Sequence, residues 1–80
     1  MPLFWIKNNR YYKIIFQPTL FGTIDIICAW GRIGGNLGNY KVIPCNGIEE
    51  IRAIIRYVKK RRKQRGYMLY YINKQKKGLV

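Results

Sequence analysis

Asn46–Gly66, NGIEEIRAIIRYVKKRRKQRG, is the stretch whose periodicity decides the architecture. Ile48, Ile51, Ile54, Ile55 and Val58 recur at helical spacing and predict one apolar stripe. Asn46 with Glu49 three positions on fits a capping-box start, and Gly66 stands where a left-handed residue ends a helix. Glu49 and Glu50 open the segment while Lys and Arg close it, each sign at the dipole end that favours it. A helix apolar on one side needs a surface to cover, and the rest of the chain supplies strands.

Upstream, Leu3 to Ile6 reads as a short first strand and Asn8-Asn9-Arg10 as a turn. Arg10–Gln17, RYYKIIFQ, is aromatic and β-branched, with Tyr12, Ile14 and Phe16 on one parity and Tyr11, Lys13, Ile15 and Gln17 on the other. The first set is the expected core face. Pro18–Gly22 is a loop, and Thr23–Trp30 is a strand with Ile24, Ile26, Cys28 and Trp30 sharing a face. Gly31, Gly34, Gly35 and Gly38 predict a flexible loop up to Asn39. Tyr40–Ile43 resumes as a strand that Pro44 stops. Beyond the helix, Tyr67–Ile72 reads as a last strand. The expectation is an α+β fold: a small antiparallel sheet of four to five strands with one long helix packed on it, a single domain over 1–72 followed by a basic tail at 73–80.

Charge narrows the function. Sixteen Lys and Arg against three acidic residues give +13 over 80 residues. A coding bias towards Lys and Asn would raise Asp and Glu too, yet these are scarce. Self-repulsion at this density calls for a polyanion. No stretch nears the roughly 20 apolar residues that cross a bilayer, and the first residues lack the pattern of a signal peptide; the expectation is a soluble, cytoplasmic protein without a membrane partner. With no His to complete a zinc site, Cys28 and Cys45 are expected as reduced core thiols, and no metal or cofactor is expected.

An enzyme is disfavoured by inventory, because the chain has neither His nor Ser. Glu49 and Glu50 diverge by about 100° on a helix and cannot share acid–base work. A binding role has better material. Arg52, Arg56, Lys59 and Lys63 follow one helix face, and Lys60, Arg61, Arg62 and Arg65 crowd its final turns. No acidic neighbour relieves them after Glu50, which favours phosphate tracking over a merely solvated face. The loop Gly31–Gly38 lacks the Lys-Ser/Thr ending of a nucleotide cradle. In Trp30-Gly31-Arg32, an indole offers a flat face, a guanidinium offers a phosphate fork, and Gly31 is expected to let the backbone turn sharply. Strand parity alone places Trp30 in the core, so its exposure stays open at this point.

Asn9-Arg10-Tyr11-Tyr12, Gln17-Pro18-Thr19-Leu20-Phe21-Gly22, Trp30-Gly31-Arg32-Ile33-Gly34 and the ending Arg65-Gly66-Tyr67 together resemble the WGR domain, in its short, stand-alone bacterial form. That resemblance implies an antiparallel sheet with one helix, and residence in a bacterial cytoplasm or nucleoid. In DNA-dependent poly(ADP-ribose) polymerases the WGR domain binds DNA near a break, its Trp stacking on a sugar at a strand end while basic residues hold phosphates. By this resemblance Trp30 stacks, Arg32 meets a phosphate or a neighbouring domain, and Lys63, Arg65 and Gly66 face the same DNA from the helix end. The implied partner is DNA, with ends or nicks preferred. Sequence-neutral binding of DNA or RNA by charge alone, and an adaptor binding a partner protein, are the competing readings. The chain departs from the bacterial pattern at Gly38-Asn39-Tyr40, where Gly-Gln is common, and at Cys28-Ala29, where charged residues often precede the Trp.

Overall fold

In the computed structural model, residues 3–70 are described. Four strands come first: β1 (Leu3–Lys7), β2 (Arg10–Pro18), β3 (Ile24–Arg32) and β4 (Gly38–Cys45). Helix α1 (Ile48–Gln64) and strand β5 (Met68–Tyr70) follow. The strands form one antiparallel sheet in the order β4-β3-β2-β1-β5. Since β4 is one edge and β5 the other, α1 has to traverse the sheet to connect them. That path covers one face and leaves the opposite face without a described element over it.

Strand alternation sorts the residues as the parity reading expects. Directly paired residues share a face, so the register gives helix-side rows Lys41–Cys28–Ile14–Leu3 and Asn39–Trp30–Tyr12–Trp5–Leu69. Ile14, Ile26 and Cys28 are fully buried, and Ile51 and Val58 of α1 close over them with Trp5, Tyr12 and Cys45. Ile54 and Ile55 pack at the margin of this core. Cys28 and Cys45 are free, buried thiols, and burial pushes the Cys45 thiol up, away from the reactive thiolate.

Several boundaries differ from expectation for identifiable reasons. The helix N-cap is Gly47, not Asn46, and it offers no side-chain cap. The box survives by half and one residue later: the Asn46 backbone N–H donates to Glu50 Oε1 at 3.1 Å. Ile48, in the exposed first turn, is 58% accessible and leaves the stripe. Gly31 and Arg32 belong to β3, and Gly38 and Asn39 to β4, so the connecting loop shrinks to 33–37. Gly31 therefore makes no sharp turn. It pairs with Tyr11 and Gly38, and the Tyr11 ring lies so close that a Cβ on Gly31 would come within 3.1 Å of the Tyr11 hydroxyl. Its bare backbone makes the floor on which that ring rests. Pro44 does not end its strand; β4 runs on to Cys45, and an edge strand tolerates proline because one side needs no ladder donor. The last strand is described as Met68–Tyr70; residues 71 and 72 and the basic tail expected over 73–80 lie outside the described residues. No described helix is long and apolar enough to cross a membrane.

Candidate nucleic-acid interface

The helix-side row at the Trp30 end of the sheet differs from the apolar rows behind it. Arg32 pairs with Arg10, and Arg10 pairs with Lys7, setting three cations side by side across β3, β2 and β1. Adjacent strands lie about 4.8 Å apart, and like charges directly opposed destabilise a sheet. The two turns that frame this row are fixed to each other. Asn8 takes the left-handed φ of 55° that asparagine tolerates, and the Asn9 carbonyl accepts the Ile33 N–H at 2.6 Å.

The helix delivers its end to the same place through a Schellman motif. Gly66 adopts φ 85°, its N–H donates to the Lys63 carbonyl at 3.1 Å, and the Tyr67 N–H donates to the Arg62 carbonyl at 2.9 Å. Arg62 and Tyr67 are thereby forced together, with the guanidinium carbon 5.0 Å from the Tyr67 ring centre. The same guanidinium lies 4.3 Å from the Tyr12 ring centre. Two aromatic rings at these distances pack against the guanidinium as cation–π partners. Among the described residues Arg62 Nε is buried and has no hydrogen-bond partner. Buried polar atoms rarely go unpaired. Tyr12 stays neutral beside it: burial, and after it the Cys28 thiol, push the phenol up to about 12 despite the opposing pull of Arg62.

Trp30 completes the wall. Its ring stacks on Tyr12 at 5.8 Å and an interplanar angle of 10°, and it is half-buried. The two openings left by parity both hold in part: one side of the indole packs on the core cluster, and the residue also lines a cavity. That cavity, about 610 Å³, is walled by Lys7, Arg10, Lys41, Arg62 and Arg65 with Asn8, Asn9, Tyr12, Trp30 and Tyr67. Among the described residues five cations and no carboxylate line it. A second, smaller hollow of about 210 Å³ shares Arg10, Trp30 and Tyr67 and adds Tyr11, Gly31 and Arg32. The pair of hollows wraps the end of the sheet around Trp30-Gly31-Arg32.

Of the residues expected to bind nucleic acid, Trp30, Gly31, Arg32 and Arg65 come together here, and Gly66 shapes the turn that brings Tyr67 in. Arg52, Arg56, Lys59, Lys60 and Lys63 are exposed on α1 and line neither hollow. Lys7, Arg10, Lys41, Tyr12 and Tyr67 were not singled out from sequence as binding residues, and Arg62 was read only as one of the cations crowding the end of the helix. A signal for most of them existed. Arg62 continues the spacing Ile51–Ile55–Val58, which puts it on the helix side facing the sheet. Lys7 shares the parity of Trp5, Arg10 that of Tyr12, and Lys41 that of Ile43. Among the described residues no cluster of three or more His, Cys, Asp or Glu could hold a metal ion.

The fold and this basic, aromatic-walled end define a small α+β binding module. The WGR-domain family model matches residues 6–76. The chain belongs to the WGR family, whose domains are non-catalytic modules that bind nucleic acid or protein partners. No curated protein and no solved structure matches it.

Proposed function

We propose that this WGR domain binds DNA at strand ends or nicks, with the cavity between Trp30, Arg10 and Arg62 taking the backbone phosphates at the discontinuity. The observation that carries this reading is a hollow walled by five cations and by Tyr12, Trp30 and Tyr67, with no acid among its described lining residues. Arg62, packed against Tyr12 and Tyr67, lines that hollow and offers a phosphate a charge-assisted contact. The Lys7–Arg10–Arg32 row is strained by its own repulsion until an anion arrives, so a phosphate there relieves a cost the free protein carries. Trp30, fixed by Tyr12, offers a rigid ring against which a terminal sugar packs. An intact duplex presents continuous backbone to a concave end such as this, whereas a break lets a strand terminus enter. The exposed flank of Arg52, Arg56, Lys59 and Lys63 supports a sequence-neutral contribution, tracking the adjoining backbone by charge.

The test is a salt-titrated binding series on nicked, open-ended and covalently closed duplexes of equal length. The expected result is tighter binding to the first two, with affinity falling steeply as salt rises. Arg10→Ala and Arg62→Ala each lessen the log–log salt slope by about one, whereas Trp30→Ala weakens end binding and leaves the slope unchanged. Equal affinity for closed and open duplexes sinks the end-recognition reading and leaves binding by charge alone.

A further inference from the structure

The sheet face that α1 does not cover carries its own pattern. Pairing places Tyr40, Ala29, Lys13, Phe4 and Tyr70 in one row across all five strands. The neighbouring row runs Gly38, Gly31, Tyr11, Ile6 and Met68. Aromatic residues thus stand at both edges and on the central strand of a face that no described element covers. Tyr40 is 72% accessible and Tyr70 57%. Phe4 stacks on Tyr11 at 6.2 Å and an angle of 19°, and meets Tyr70 edge-on at 6.5 Å. Lys13 sits at the centre with its ammonium 5.9 Å from the Tyr11 ring centre.

We propose that this face is a stacking platform for single-stranded nucleic acid, a second binding surface distinct from the basic cavity on the helix side. Unstacked bases need flat apolar partners, and their phosphates need a cation within reach; the row supplies aromatic rings and Lys13, with room for roughly two or three bases. Charge selects this occupant over the obvious rival. A second copy of the chain would bring another +13 against the first, whereas a nucleic-acid strand brings the opposite sign. The platform is also continuous with the cavity end. Tyr11 belongs to the open face, yet it lines the smaller hollow together with Arg10, Trp30 and Arg32. A strand freed at a duplex end therefore has a route around the sheet margin, over Gly31, onto the platform. The bare Gly31–Gly38 pair beneath Tyr11 keeps that margin low. The platform stands without the end-recognition reading, since it requires only a single strand.

The experiment measures binding of a fluorescent oligothymidylate of about 12 nucleotides, beside a covalently closed duplex. The proteins are the full chain and its Tyr40→Ala/Tyr70→Ala variant. Both tyrosines are exposed at sheet edges, so a thermal melt is expected to stay near wild type. The expected result is a loss of single-strand affinity of about tenfold with no change in salt slope, because stacking releases no counterions. Duplex affinity is expected to hold. Lys13→Gln is a second, independent variant, expected to lower the single-strand salt slope by about one and to spare the duplex. Unchanged single-strand affinity in both variants overturns the platform, and so does a dimer in sedimentation that Tyr40→Ala dissociates. Failure of nick preference with these losses intact overturns only the end-recognition reading.

Discussion

The two ends of the sheet are built on opposite principles. At the Leu20 end, the β2–β3 hairpin is closed by its own bonds: the Thr19 and Thr23 hydroxyls meet at 2.7 Å and the Thr19 N–H donates to the Thr23 carbonyl at 2.9 Å. Ile26 and Cys45 lie nearby with side chains fully or almost fully buried, and Asp25 and Glu50 are the local charges. At the Trp30 end, three cations oppose one another across strands and an arginine nitrogen is buried without a partner among the described residues. One helix spans both. Its first turns bring Ile51 onto the apolar core and its last turn brings Arg62 over Tyr12. The difference teaches that the Leu20 end satisfies its own polar groups while the Trp30 end leaves cations opposed, as expected where binding needs groups left unsatisfied. The largest effect should come from the Leu20 end. Ile26→Ala removes a fully buried side chain between β2, β4 and α1 and should cost about 2–5 kcal/mol. For a domain of this size that is a large part of the total, at about 0.05–0.15 kcal/mol per residue. The cooperative thermal transition is expected to disappear or fall steeply. A variant that melts within a few degrees of wild type breaks that contrast.

Arg62→Met is the complementary substitution at the other end. Methionine continues the apolar stripe of Ile51 and Val58, packs against Tyr12 and Tyr67, and removes a half-buried charge that has no carboxylate partner among the described residues. Such replacements are commonly neutral or stabilising, here by about 1 kcal/mol. The melt should hold or rise while affinity for nicked DNA drops by about tenfold or more, the worth of a charge-assisted contact. A variant that loses stability together with binding shows instead that Arg62 is chiefly a structural clamp.

How much of this was legible follows from the same contrast. The core end could be read because period-two alternation in Tyr12–Ile14–Phe16 and Ile24–Ile26–Cys28 marks a buried face, and helical spacing marks Ile51 and Val58. The basic end was legible only in part. Trp30, Arg32 and Arg65 stood out as residue types in a recognisable block, but Lys7, Arg10 and Arg32 become one row only once the strand register is known. Pairwise register depends on turn geometry, and the Asn8-Asn9 turn gives no decisive signal until its left-handed residue is located. Arg62 was hidden differently, lying in a run of seven consecutive residues from Lys59 to Arg65 of which six are cationic. Only the phase of the apolar stripe separates it from its exposed neighbours. Gly31 was misread because a glycine after a strand suggests a turn, whereas here it is bare because Tyr11 lies over it.

Gly66→Ala should have a smaller, structural effect that crosses from one region to the other. The residue holds φ 85°, where an L side chain costs about 1–2 kcal/mol, and nothing but the flexible Lys7 side chain lies near the added methyl. The cost is therefore conformational and not steric. It falls on the Schellman bonds that seat Tyr67 against Arg62, so DNA affinity should fall modestly beside a drop of a few degrees in the melt. Gly66→Asn, which tolerates the left-handed region better, should recover part of both. Equal losses for Ala and Asn would argue against the left-handed cap as the origin.

The smallest expected effect is a pH dependence at the point where the two regions touch. Tyr12 stacks on Trp30 and packs edge-on against Trp5, so it belongs to core and cavity alike. Its phenol is raised from 10.0 to about 12 in the folded protein, chiefly by burial. Between these values the folded state keeps a proton that the unfolded chain has released. The corresponding stability is whole below pH 10 and is lost as pH rises through about 12. Comparison with Tyr12→Phe isolates the phenol. The phenylalanine variant retains the ring under Arg62 and should lose less stability than wild type over that alkaline limb, while binding nicked DNA equally well at neutral pH. Superimposable alkaline limbs would mean that burial at Tyr12 imposes no penalty on its phenolate. If affinity fell at neutral pH, Arg62 would be using the hydroxyl and not the ring face, and the contact assigned to phosphate would already be partly spent within the protein.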